Sequence, residues 1–287
     1  MAATRASRRR PTGSERRSAR TRRRNTGSEL GARIVAAIPA IAFAIFIIYE
    51  GGLVFTIALI ALGLICLHEL FRMYAHAHPS RLAGFIGLIG LLLAAHFGDQ
   101  ATVLLAFVAA VPVVFWLCVA QRPRGGAAGV SVTILGLAWI GLALAHAVLL
   151  RNLPHGDGIV VDVLVGTFVG DTGAYLGGRM IGSSRMAPTI SPNKTWEGLG
   201  VGFLLGTLGV WFAGLYQEWL SGWHALLLGA AVCLAAPVGD LFESYLKRDA
   251  GTKDTGTLFG AHGGALDRLD AVLFAAVTGY YVWQALL

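Results

Sequence analysis

Long apolar blocks separated by short polar breaks dominate this chain from about residue 34 onward. Nine blocks can be drawn, at 34–49, 53–71, 82–97, 101–120, 130–150, 159–178, 198–216, 223–239 and 264–285. Several approach the roughly 20 residues that carry a helix across a bilayer, whereas the first and third are short enough to call for tilting or local thinning. Glycine recurs inside the blocks, as close helix packing in lipid favours, and no fixed-period repeat is present. The pattern predicts an all-α polytopic integral membrane protein with about nine transmembrane helices.

Composition agrees with that class. Of 287 residues, 55% are hydrophobic and only 14% charged, against about 25% charged in soluble proteins. Cys66, Cys118 and Cys233 each stand alone in an apolar run, which fits small buried residues better than disulfides or metal ligands. The net charge of +7 is unevenly spread, because eleven of the 23 Lys and Arg residues lie at or before Arg33. That arm has almost no apolar content, so it is expected to be disordered and to act as a cytoplasmic tail that fixes topology. Attraction to anionic membrane lipids is its second reading. No nucleic-acid partner is expected, because no aromatic residue interleaves the arginines. A cleavable signal peptide fits poorly, since the charged region is too long. With the arm inside, 22 of the 23 Lys and Arg residues fall on the inner side and only Arg151 lies outside. The chain then divides into a basic cytoplasmic arm (1–33), N-terminal transmembrane helices (34–150) and a C-terminal transmembrane region (151–287) that carries the chemistry, in the cell (inner) membrane.

The first half holds few intramembrane charges. Glu69, beside His68, is expected to play a structural role at a membrane boundary, and His96 and His146 read as satisfied packing positions. The second half differs. Asp171 lies well inside an apolar helix, where an ionisable side chain costs several kcal/mol unless it is paired or lines a wet cavity. Lys194 or Arg179 could supply that pair. The segment Ser191-Pro192-Asn193-Lys194-Thr195-Trp196-Glu197-Gly198 follows, with Pro192 read as fixing a turn and Thr195 as a helix N-cap. Its Lys194 can reach a phosphate.

Residues 240–270 are the densest polar stretch of the apolar region, with eleven of 31 positions Asp, Glu, Lys, Arg or His. On a helix Asp240, Glu243, Ser244, Lys247 and Arg248 share one face. A Gly- and Thr-rich loop follows, and Asp267 and Asp270 sit a turn apart where an apolar segment resumes. Carboxylates on two helix ends can converge on a hard cation such as Mg²⁺. Lys247, Arg248, Lys253 and His262, with glycines that admit backbone N–H groups, can neutralise phosphate, which is what phosphoryl or nucleotidyl transfer requires. A salt-bridged topology anchor would explain Glu243 with Lys247 but not the whole set.

The pattern Ser244-x-x-Lys247-Arg248-x-x-x-x-Lys253-Asp254-x-Gly256-x-x-Phe259-Gly260-x-His262-Gly263-Gly264-x-x-Asp267-Arg268-x-Asp270 resembles the signature of the bacterial phosphatidate cytidylyltransferases, or CDP-diacylglycerol synthases. Gly170-Asp171 and the segment around Lys194 resemble that family's other polar segments, so the likeness covers roughly residue 159 to the C-terminus. The resemblance implies an enzyme that joins CTP and phosphatidic acid, using Mg²⁺ and allowing a second cation such as K⁺; a homodimer is compatible with it. It also implies that Asp240 and Asp267 bind the metal. Lys247, Arg248 and Lys253 are then expected to neutralise phosphate charge, and Asp171, Lys194, Glu243, Ser244, Asp254, His262, Arg268 and Asp270 to position ligands. The rival readings are another CTP-dependent lipid enzyme, such as a polyprenol or dolichol kinase, and an ion or anion transporter.

Overall fold

In the computed structural model the described residues are 41–120, 126–256 and 263–287. The basic arm, the start of the first block and His262 lie outside them. Residues up to Phe46 form one unit, of which the described part is helical, and Ile47–Leu287 form a second, compact unit. The second unit contains the described N-terminal helices from Ile47 onward together with the C-terminal helices in one body.

Nearly every apolar block is a helix. They are α1 (Ile41–Glu50), α2 (Gly52–Met73), α3 (Arg81–Phe97), α4 (Gln100–Ala120), α5 (Gly126–Gly136), α6 (Leu142–Asn152), α7 (Gly156–Ile181), α8 (Trp196–Gly214), α9 (Gly222–Asp249) and α10 (Leu266–Leu286). A π-helical turn, Leu137–Gly141, joins α5 and α6 into one apolar rod, so the two make a single candidate span. Among the described residues seven helices are long and apolar enough to cross a membrane, and α1 and α3 are shorter apolar helices. The chain is an all-α multi-pass membrane protein. Many large apolar side chains on α4, such as Leu104, Leu105 and Trp116, are exposed, as a lipid-facing surface requires.

The core gathers Leu67, Leu70, Phe71, Leu88, Leu92, Ile140, Leu150 and Leu266, all with essentially no exposure. Helices α7 and α8 approach through glycine faces. A Cβ at Gly202 would lie 2.6 Å from the Gly170 carbonyl oxygen, and one at Gly198 would lie 2.7 Å from that of Ala174. Only glycine permits that spacing, the small-xxx-small arrangement of membrane helices.

The fold departs from the expectation at 185–195. These residues form a hairpin, β1 (Arg185–Ala187) antiparallel to β2 (Ser191–Thr195). Its turn is made at Pro188, where the Ile190 N–H donates to the Ala187 carbonyl (3.2 Å), and the expected turn residue, Pro192, lies inside β2 instead. Pro at the second position of a turn matches its fixed φ, which is the signal that marks Pro188. The N-cap reading holds, because the Thr195 hydroxyl accepts from the Gly198 N–H at 3.1 Å. Beyond the cap, the Glu197 carboxylate accepts from Ser183 Oγ (2.6 Å) and from the Ser184 N–H, tying the hairpin base to α8.

The paired carboxylates of the candidate active site

Three pieces of chain meet where α9 turns into the loop before α10. The helical spacing puts Asp240, Glu243, Ser244 and Lys247 on one face of α9, and the structure places the whole run to Asp249 in that helix. Pro237, one turn before Asp240, removes a backbone donor from the helix at this level. Helix α10 crosses α9 at Gly239, where a Cβ would fall on the Asp270 carbonyl oxygen. That close approach puts Asp270 beside Asp240.

Two ion-pair clusters result. In the first, Lys194 of the hairpin lies 2.7 Å from Asp240 Oδ2, and Ser244 Oγ donates to Asp240 Oδ1 at 3.3 Å. The Lys194 and Asp240 side chains keep 22% and 34% of their exposure, so a ligand can reach both. Asp171 lies within electrostatic reach of Asp240 and Lys194, and it lines a narrow crevice with Gly170 of α7, Gly202 of α8 and Pro237 of α9. Lys194 therefore pairs with Asp240 rather than with Asp171, while Arg179 donates to the Tyr175 hydroxyl (3.3 Å). In the second cluster, Lys247 Nζ donates to Glu243 Oε2 (2.5 Å) and to Asp267 Oδ1 (3.0 Å). Glu243 is fully buried, and its other oxygen has no donor among the described residues. Asp267 is held more tightly than Asp240. It accepts from the Gly264 N–H (2.7 Å) and from the Thr255 N–H (3.1 Å) in addition to Lys247.

The remaining predicted residues are spread around these clusters. Arg248 donates from Nε to the Ile190 carbonyl (3.2 Å), linking α9 to the hairpin turn. Lys253, Asp254 and Arg268 are exposed. Tyr74, just past α2, donates to Asp249 Oδ2 (2.9 Å) at the end of α9, and burial together with that carboxylate pushes its phenol well above the ordinary range.

Glu69 has structural contacts, as expected, but its partners lie far along the chain. It is 4% exposed, and it accepts from the backbone N–H groups of Ala265 (3.1 Å) and Leu266 (2.9 Å) and from Thr255 Oγ1 (3.3 Å). A charge in an apolar helix was the available signal. His146 and His96 are packing residues as expected, with Nε2 of His146 on the Tyr281 hydroxyl (3.1 Å) and Nδ1 of His96 on Thr56 Oγ1 (3.1 Å). The three cysteines are free.

Carboxylate oxygens are hard donors that suit Mg²⁺. Among the described residues no group of three or more His, Cys, Asp or Glu converges as a complete ligand set. Mg²⁺ is commonly held by one or two carboxylates and completed by water and substrate phosphates. Asp240, which among the described residues is paired with Lys194 and accepts from Ser244, keeps a third of its surface open and fits this role directly. Asp267 fits it by giving up Lys247.

The fold and these clusters define a multi-pass membrane protein with an ion-paired polar face in its C-terminal half. The profile of the Cytidylyltransferase family matches residues 31–286. The chain is 33% identical over 260 residues to the phosphatidate cytidylyltransferase of Brucella suis biovar 1, an alignment that covers 88% of this chain and 93% of that one. It is 34% identical over 163 residues to the protein of the same name from Mycobacterium bovis, covering 57% of this chain and 53% of that one. This chain belongs to the Cytidylyltransferase family, and the match includes the N-terminal helices as well as the signature stretch.

Proposed function

We infer that this protein is a phosphatidate cytidylyltransferase, a transferase that converts CTP and phosphatidic acid to CDP-diacylglycerol and pyrophosphate for phospholipid biosynthesis. The observation that carries the reading is the relationship to the Brucella enzyme over nearly its full length. The ion-paired clusters supply the means. A phosphatidate phosphate oxygen attacks the α-phosphorus of CTP in line. The new P–O bond forms as the bond to the β-phosphate bridging oxygen breaks, and pyrophosphate leaves with the electron pair. No protein nucleophile is needed, so the protein's work is alignment and charge neutralisation.

In this reading Lys247, Arg248 and Lys253 neutralise triphosphate and phosphatidate charge, and Lys194 moves from Asp240 toward phosphate when the nucleotide enters. Asp240, with Asp267, would hold Mg²⁺, which when bound supplies further neutralisation of the triphosphate. Asp171, Glu243, Ser244, Asp254, His262, Arg268 and Asp270 position these groups. The site then faces the cytoplasm, where CTP is, with the N-terminal arm on the same side and the helices in the cell (inner) membrane, as the Lys and Arg distribution supports. An apolar groove of about 410 Å³, lined by Trp139, Phe242, Phe274, Val277 and Thr278 among others, runs along the α10 face that continues from Asp270 and offers room for an acyl chain. Formation of CDP-lipid from CTP and phosphatidate by the purified protein tests the reading, and its absence would reject it.

A further inference from the structure

Glu69 stands apart from the residues that the proposed reaction uses. It comes from α2, in the N-terminal half, yet every hydrogen bond described for its side chain goes to the chain after α9 or to the first residue of α10. The contacts fall on both sides of residues 257–262. Before them Thr255 Oγ1 donates to Glu69, and a Cβ on Gly256 would land on Glu69 Oε1. After them the Ala265 and Leu266 N–H groups donate to it, and a Cβ on Gly264 would land on Glu69 Oε2. One buried carboxylate thus gathers both strands of the loop neck.

The same neck also carries Asp267. Thr255 gives its hydroxyl to Glu69 and its backbone N–H to Asp267, and Gly264 packs on Glu69 while its N–H binds Asp267. Helix α10 has no side-chain cap of its own. Glu69 takes that place from another helix, where a negative charge gains from the exposed N–H groups and the positive end of the helix dipole. Burying a carboxylate is costly unless its oxygens are fully used, and here three donors and two glycines are arranged around it.

We infer that Glu69 is a positioning residue of the transferase: by clamping the loop neck at Thr255 and Leu266, it holds Asp267, and through it Lys247, in register for the nucleotide. The inference rests on the cytidylyltransferase reading. The N-terminal helices then contribute to the site and do not merely surround it.

The test uses the full-length protein in detergent with CTP, Mg²⁺ and phosphatidic acid, comparing wild type with E69Q, E69A, G264A and E69A/G264A. A purely structural role would lower Vmax in proportion to the folded fraction and leave the KM for CTP unchanged. Positioning predicts that folded E69Q and E69A raise the KM for CTP and lose about 10–100-fold in kcat/KM, the range found when a residue supporting a site's ligands is removed. It also predicts that G264A, whose methyl meets Thr255 Oγ1 as well as Glu69 Oε2, is damaging alone and costs less, though not nothing, in the E69A background. An unchanged KM in both Glu69 variants, or full additivity of the pair, would overturn the inference. Hydrogen exchange is a readout independent of turnover. In E69A, faster exchange confined to residues near Thr255 and Leu266 supports the clamp, and unchanged exchange there refutes it. If the wild type makes no CDP-lipid, the cytidylyltransferase reading falls, and the exchange result alone then decides whether the clamp exists.

Discussion

Lys194, on a hairpin between α7 and α8, places its ammonium 2.7 Å from Asp240 on α9. The pair joins residues 46 positions apart and sets the more open of the two proposed metal-binding carboxylates against a countercharge. Removing either partner affects both the nucleotide's charge balance and the groups left behind. D240N is expected to lose at least about 100-fold in kcat, the scale on which electrostatic stabilisers act, with its melting behaviour unchanged because the pair is partly solvated. K194M should lose activity too, and the double variant should lose less than the sum of the two. Initial rates of label transfer from α-³²P-CTP to lipid measure this, and strict additivity would show that the two side chains work independently.

Asp267 should behave differently from Asp240. Its oxygens take donors from Lys247, Thr255 and Gly264, so D267N replaces an acceptor with an amide that repels N–H groups. Both activity and stability are expected to fall, the latter by about 1–3 kcal/mol. Thermal unfolding in detergent separates the two aspartates, since only D267N should shift the midpoint.

Lys247 is the only described countercharge in contact with the fully buried Glu243. K247M leaves that carboxylate uncompensated and is expected to cost about 3–5 kcal/mol. E243Q, which removes the charge that needs pairing and leaves Lys247 on Asp267, should unfold later than K247M. The reverse order of midpoints would contradict this account of the cluster.

The α7 and α8 glycine faces set where Asp171 and the hairpin stand. G202V forces a side chain into the Gly170 carbonyl, and overpacking of this kind costs about 1–3 kcal/mol or more. The expected result is a lowered unfolding midpoint together with weaker CTP binding, because Lys194 moves with α8. A midpoint equal to wild type would argue against tight packing of the two helices.

Local patterns were legible and long-range pairings were not. The helical spacing from Asp240 to Arg248 was readable because period 3.6 is a local property, and Thr195 was readable as a cap because a cap is a contact at three residues. The partner of Lys194 was not, since its direction depends on a hairpin that turns at Pro188 and not at Pro192. Glu69 was read as a structural residue at a boundary. Its capping of Leu266 spans 197 positions and becomes visible only when α2 and α10 are packed together.

The central claim is that this face transfers the cytidylyl group itself. Incubation of the purified protein with phosphatidic acid, Mg²⁺ and either α-³²P-CTP or γ-³²P-CTP tests it most directly. The account predicts that α-label enters chloroform-soluble lipid while γ-label is released as pyrophosphate. Entry of γ-label into lipid with none of the α-label would contradict it and point to a CTP-dependent lipid kinase instead.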